Sequence, residues 1–209
     1  MDNENLEPDR ERWKADTYVE DWRGILYIMN NVFPRFEEVF TIPKGGWVME
    51  IGIGSGKWSA AFAVAGCNVV AVDYLPEMLD NVIKNYPAIS RGMFTVLDDA
   101  RTLNRVPNNF FSVVLSEGLL EHFLDDETRL LVVKNMVKKL RGGGVFICIV
   151  PINSDEEDEH YYTKESFYEE LMGTGYFSSA TMLGFLINDT KEITQIGFIA
   201  QRAMVEAAA

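Results

Sequence analysis

Hydrophobic positions along the chain fall into two alternating kinds. Short apolar runs, each stopped by glycine, an acid or proline, are separated by longer stretches with apolar residues at helical spacing. The runs predict strands at about 47–53, 69–73, 93–97, 111–116 and 145–150, with helices at 57–66, 76–86 and 126–140 between them. Pro76 suits the first turn of its helix, where a missing N–H is harmless. The helix at 126–140 opens on acids and closes on Lys138, Lys139 and Arg141, as the helix dipole favours, and Gly142-Gly143-Gly144 ends it. A short helical turn near 100–104 follows the third strand, and an acidic loop at 153–160 leads to a helix at 163–173. Two last runs, about 178–187 and 192–202, flank the turn Asn188-Asp189-Thr190. Upstream, Arg10 to about Phe40 reads as helical, with Trp13, Tyr18, Trp22, Ile25, Leu26 and Met29 in step and a bend or break at Gly24 and Pro34. Alternating strands and helices with a closing hairpin predict an α/β fold: a doubly wound, mostly parallel seven-stranded sheet with a final antiparallel hairpin strand and an N-terminal helical cap. No linker or repeat divides the chain, so residues 1–40 form a helical extension of a single domain whose binding core spans 41–206.

Composition adds exclusions. At 209 residues and 47% apolar, the chain suffices for one such domain with a large core. A net charge of −13 weighs against nucleic acid and anionic membrane surfaces as partners, since their phosphates call for clustered Lys and Arg. No apolar run reaches membrane-spanning length, and the polar, acidic segment Met1 to Arg10 is neither a signal nor a transit peptide. Cys67 and Cys148 sit among apolar residues and read as buried thiols rather than a disulfide or metal site, which points to a reducing, cytoplasmic location. Ala207-Ala208-Ala209 is set aside as a vector-derived tail.

The chemistry concentrates at Glu50-Ile51-Gly52-Ile53-Gly54-Ser55-Gly56, which follows the first apolar run and opens the first helix of the core. A strand, a turn with glycine at every second position and a helix make a nucleotide-binding turn, because no Cβ blocks a ligand from the backbone N–H groups at the helix start. Twenty-one positions after Gly52 the second run ends in Asp73, placed to accept both hydrogens of a ribose diol or else to cap the helix at Pro76. A dinucleotide site needs G-x-G-x-x-G or A, and the third position here is Lys57 or Ser59, so an NAD-dependent oxidoreductase is disfavoured.

The E-x-G-x-G-x-G pattern resembles motif I of the class I S-adenosylmethionine (SAM)-dependent methyltransferases. Asp73-Tyr74-Leu75-Pro76-Glu77-Met78-Leu79 is similar to the segment that follows it, and Asp98-Asp99-Ala100 and Val113 to Phe123 resemble the adenine-binding and fourth-strand motifs. The likeness runs from about Trp47 to Pro151. It implies a Rossmann-like methyltransferase fold with SAM as cofactor. Gly52, Gly54 and Gly56 then floor the methionine part, and Glu50 organises the turn and reaches the amino group. Asp73 holds the ribose, Tyr74 lies against the adenine, and Asp99 with the Ala100 N–H reads the adenine edge, Asp98 competing for the acidic role. Ser116 joins these contacts. Lys57 either meets the SAM carboxylate or is solvated. Glu117 orients or deprotonates the acceptor or faces the sulfonium, and His122 is the candidate general base.

Tyr18 and Trp22 are candidates for a lid, and His160, Tyr161 and Tyr162 for the acceptor site. The five carboxylates Asp155 to Glu159 read as a solvated segment, with no metal site expected. The fourth-strand segment lacks the N-P-P-Y-like sequence that holds a planar amine. That lack and the charge favour a small-molecule acceptor. A protein methyltransferase and a non-catalytic SAM-fold interaction protein are the alternatives, and the acceptor atom and oligomeric state are open.

Overall fold

The computed structural model describes residues 22–152, 160, 162–185 and 195–203. Its seven strands are β1 (Trp47–Ile51), β2 (Asn68–Asp73), β3 (Met93–Leu97), β4 (Phe111–Glu117), β5 (Leu140–Pro151), β6 (Phe177–Phe185) and β7 (Gln195–Arg202). They form one sheet in the order β3-β2-β1-β4-β5-β7-β6. Strands β1 to β5 run parallel, and β7 lies antiparallel between β5 and β6. This is the mostly parallel sheet with a closing antiparallel strand that the pattern predicts; the 188–190 turn lies outside the described residues. The chain runs outward from β1 to β3 and returns to β4, so the order reverses between β1 and β4. A crevice opens there, beyond the carboxyl ends of the strands.

Helices cover both faces. On one side lie α1 (Trp22–Tyr27), α2 (Phe33–Glu37), α3 (Lys57–Val64) and α4 (Pro76–Asn85); on the other lie α5 (Asp126–Lys139) and α6 (Lys164–Gly173). With both faces covered, the inner strands are apolar almost throughout. Along β1, Val48 joins the core with Phe36, Trp58, Phe62 and Val82, whereas Met49 and Ile51 join the opposite core with Val132, Val133 and Phe167.

Three departures from the sequence reading have local causes. The expected break at Gly24 is absent, and α1 runs through it. The winding changes instead at a π turn, Ile28–Val32, immediately before Pro34 in the first turn of α2. Pro34 has no N–H for the preceding turn, and a wider turn accommodates its ring. The Gly142-Gly143-Gly144 segment does not separate α5 from β5, because β5 begins at Leu140 and runs through it. A Cβ on Gly144 would lie 3.0 Å from Phe111 O, so glycine lets β5 close on β4 where their register shifts. Residues 100–104 form turns rather than a helix, with Leu103 at φ 44.

Helix α6 starts on a reciprocal cap. Thr163 Oγ1 accepts from Ser166 N at 3.1 Å, and Ser166 Oγ accepts from Thr163 N at 3.0 Å. Thr163→Ala is expected to lower stability by about 1 kcal/mol. Urea unfolding checks this, and an unchanged midpoint would show that α6 holds by packing alone.

Candidate active site

Strand β1 delivers its chain to the crevice and turns through Gly52, Gly54 and Gly56, whose φ values are 71, 48 and 75. Left-handed backbone at three alternating positions requires glycine. Two of the three also admit close protein neighbours. A Cβ on Gly56 would lie 2.4 Å from Val82 Cγ2, and one on Gly52 would lie 3.1 Å from Leu119 Cδ1. Gly56 therefore lets the start of α3 pack against α4, a structural role that the reading of all three as a cofactor floor did not include.

Asp73 ends β2 and is 6% exposed. One carboxylate oxygen accepts from Ile53 N at 3.0 Å and the other from Leu75 N at 2.9 Å. The side chain thus clips the glycine turn to the tip of β2. Burial pushes its carboxyl up to about 6, against the lowering effect of the Leu75, Ile53 and Tyr74 backbone N–H groups. It does not cap α4 in the usual sense, because the N-cap residue is Leu75.

Glu50 points from β1 toward α3 and is 2% exposed. One oxygen accepts from Ser59 N at 2.7 Å and from Ser59 Oγ. Burial pushes its carboxyl up to about 8, with Glu117 adding to the shift and the Ser59 bonds and Lys57 opposing it. Glu117, the last residue of β4, accepts from Trp58 Nε1 at 2.7 Å and pairs with Lys57 Nζ at 2.9 Å. Sequence reasoning named Lys57 and Glu117 separately and missed both their pairing and Trp58.

Comparison with known proteins adds the family. A family profile described as a methyltransferase domain matches residues 49–148. The matched segment is a methyltransferase domain, and the sheet around it has the fold of SAM-dependent methyltransferases. No curated protein matches the chain significantly. Among solved structures, a protein from Pyrococcus horikoshii aligns with TM-score 0.71 and 16% identity over 92% of this chain and 98% of its own. A SAM-dependent methyltransferase from Methanosarcina mazei aligns with TM-score 0.67 and 14% identity over 82% and 98%. The CurJ carbon methyltransferase aligns with TM-score 0.67 and 13% identity over 86% of this chain, which spans 55% of that protein. Similarity at these identities shows the shared fold.

SAM is the cofactor expected of a methyltransferase domain, and the residues present fit it. The turn is built from glycine backbone, a buried carboxylate stands at the tip of β2, and opposite charges meet at the end of β4. The segment after β3 carries Asp99, whose carboxylate is gripped by Arg101 through Nε at 3.0 Å and Nη2 at 2.5 Å. Burial opposes its charge, but the hydrogen bonds and charge of Arg101 outweigh this and hold its carboxyl below the usual range. Asp98 turns instead to its own loop, accepting from Arg105 N at 2.6 Å and Asp99 N at 2.9 Å. Ala100 is buried in the core on the α5 side, and Tyr74 packs partly buried against the core on the α3 side.

Several other residues named from the sequence have partners of their own. Ser116 is fully buried, and its Oγ donates to Cys148 Sγ at 3.4 Å. Alternation along β4 sends Glu117 toward α3 and Ser116 to the opposite face, away from the glycine turn. Tyr162 is a core residue. Its hydroxyl donates to Glu170 Oε1 at 3.0 Å, and Arg129 Nε donates to Glu170 Oε2 at 3.3 Å. Burial raises the Tyr162 hydroxyl far above its ordinary range. Trp22 is 43% exposed, and its ring meets Tyr86 edge-on at 5.7 Å. Tyr86 follows the end of α4, one turn beyond Val82, the residue against which Gly56 packs. Tyr18, Tyr161 and the carboxylates 155–159 lie outside the described residues.

His122 closes a 3₁₀ turn, Leu120–His122, that follows β4. His160 approaches the same turn: its N–H donates to Glu121 O at 2.6 Å, and its ring lies 4.6 Å from that of Tyr162. Burial, then Arg129, lower the His160 pKa and keep the imidazole neutral at pH 7. Among the described residues no three His, Cys, Asp or Glu side chains gather as a metal site, and no helix is long and apolar enough to cross a membrane.

Proposed function

We propose that this methyltransferase transfers a methyl group from SAM to a small-molecule acceptor. The observation that carries the cofactor half is the glycine turn clipped to Asp73, with the Lys57–Glu117 pair beside it. The acceptor half rests on charge: a net charge of −13 opposes polyanionic substrates. Bound SAM supplies an electrophilic methyl carbon on a sulfonium. The chain's part is to position and to exclude water. Asp73 takes the ribose hydroxyls, and Ala100 N–H and Asp99 take the adenine edge. Tyr74 lies against the ring, and Gly54 leaves the backbone bare beneath the ligand. The acceptor enters over the turn 120–122, where His122 and His160 lie. A nucleophile that must lose a proton gives it to the His122 imidazole. The free thiols Cys67 and Cys148, both buried, support a cytoplasmic enzyme.

Calorimetry with S-adenosylhomocysteine tests the cofactor half, and absence of binding would reject it. Labelled SAM with a cell extract tests the acceptor half: label in macromolecules rather than small products would turn the reading to a protein methyltransferase. With the acceptor in hand, His122→Ala is expected to lower kcat about a hundredfold while leaving S-adenosylhomocysteine affinity intact. An unchanged kcat would mean that positioning alone carries the reaction.

A further inference from the structure

A buried charge network packs against the turn that follows β4. Its centre is Arg129 on α5, whose side chain is 1% exposed. Nη1 donates to the carbonyls of Phe123 and Leu124, each at 2.8 Å. Nη2 donates to Asp126, and Nε donates to Glu170 Oε2 at 3.3 Å, so every guanidinium nitrogen is engaged. The other oxygen of Glu170, Oε1, accepts from the Tyr162 hydroxyl at 3.0 Å. The Tyr162 ring meets Phe167 at 5.0 Å and the edge of His160 at 4.6 Å. The His160 N–H returns to Glu121 O at 2.6 Å. The contacts close a circuit from the turn through α5 and α6 and back to the turn.

We propose that Arg129, acting through Glu170 and Tyr162, is the positioning residue of the acceptor site, holding the turn that carries His122 in register with the segment that carries His160. This rests on the reading above, in which the acceptor enters over that turn. A buried ion pair is a poor source of stability, since apolar side chains of similar volume fill such a space as well. What it supplies here is geometry. The guanidinium is planar and its donors point in fixed directions, so two carbonyls of the turn and a carboxylate on α6 cannot shift independently. The anchors are rigid, because α5 through Val132, Val133 and Met136 and α6 through Phe167 and Leu171 pack into one core. Burial does not fix the end of the turn: Leu124 is 58% exposed, and its carbonyl is held by Arg129. These bonds involve neither the glycine turn nor Asp73, so positioning of the acceptor is separable from binding of the cofactor.

Two variants test this. Arg129→Lys keeps the charge and loses the fork, whereas Tyr162→Phe keeps the ring and loses only the O–H that reaches Glu170. With labelled SAM and a cell extract, the rate of label transfer at saturating SAM is expected to fall about tenfold or more in both. The KM for SAM and the calorimetric affinity for S-adenosylhomocysteine should stay at wild-type values. The chain has two histidines, so NMR reads their imidazole signals one by one. With S-adenosylhomocysteine bound, both variants should move the His160 signal, and Arg129→Lys that of His122 as well. A folded variant with wild-type turnover overturns the proposal. So does one whose turnover, S-adenosylhomocysteine affinity and melting temperature fall together, which marks a structural role alone. If Arg129→Lys does not fold, Tyr162→Phe decides by the same criteria. Label in macromolecules overturns only the small-molecule reading, because the same rates still compare the variants. A wild-type protein that transfers no label rejects the methyltransferase reading and the positioning role with it.

Discussion

Asp73→Ala is expected to lower both cofactor affinity and stability, a double loss that a purely ligand-facing acid would not cause. The carboxylate accepts from Ile53 N at 3.0 Å and Leu75 N at 2.9 Å, so it joins the glycine turn to the start of α4. Removing it leaves backbone donors in a buried place without their acceptor, at about 1–3 kcal/mol each. Relief of a desolvated charge returns part of this, so the net loss of stability is expected at about 2–4 kcal/mol. The affinity loss adds the ribose hydrogen bonds to the disordering of the turn, and is expected to exceed about tenfold for S-adenosylhomocysteine. Urea unfolding and calorimetry read the two separately. Asp73→Asn sharpens the test, since its amide retains one acceptor but sets a donor against a donor. A variant that binds weakly with wild-type stability would show that Asp73 serves only the ligand; one that is unstable yet binds normally once folded would remove Asp73 from the cofactor site.

Much of this arrangement is legible in the sequence because it is local. The first apolar run, glycine at 52, 54 and 56, and an acid ending the second run are adjacent consequences of one strand, one turn and the next strand. Their φ values of 71, 48 and 75 follow from the residue type. What the sequence hides is set across the sheet. Gly56 needs its missing Cβ because of Val82, on the next helix. Nothing in the residues around Lys57 announces that its partner stands 60 positions on, at the tip of β4. Ser116 and Glu117 are neighbours in sequence but face opposite cores. A strand end misjudged by one residue, 116 rather than 117, leaves open which of the two reaches the turn. Tyr162 follows an acidic loop and reads, with His160 and Tyr161, as a candidate for the acceptor site. Its burial depends on Glu170, on α6, being held by Arg129 from α5. Periodicity within one segment carries no information about such tertiary pairs.

Glu50→Gln is expected to change the pH dependence of stability more than its value at any one pH. The carboxyl is fully enclosed, and burial pushes it up to about 8 from an ordinary value of 4.5. A carboxyl whose pKa is higher in the folded than in the unfolded chain binds more protons in the folded state between those values. Its contribution is fully present below about 4.5 and is lost as pH rises through about 8. Over that window wild type should therefore lose stability relative to Glu50→Gln, by an amount on the order of 4 kcal/mol. The amide is a fair comparison because its oxygen still accepts from Ser59, at the 2.7 Å position that Ser59 N now occupies. Asp73 titrates in the same direction, being raised to about 6, but it is present in both proteins and cancels in the difference. Denaturation midpoints at several pH values between 4.5 and 8, with the cofactor absent, supply the two curves. Curves that stay parallel would mean that Glu50 remains ionised throughout, with its charge held by the turn itself.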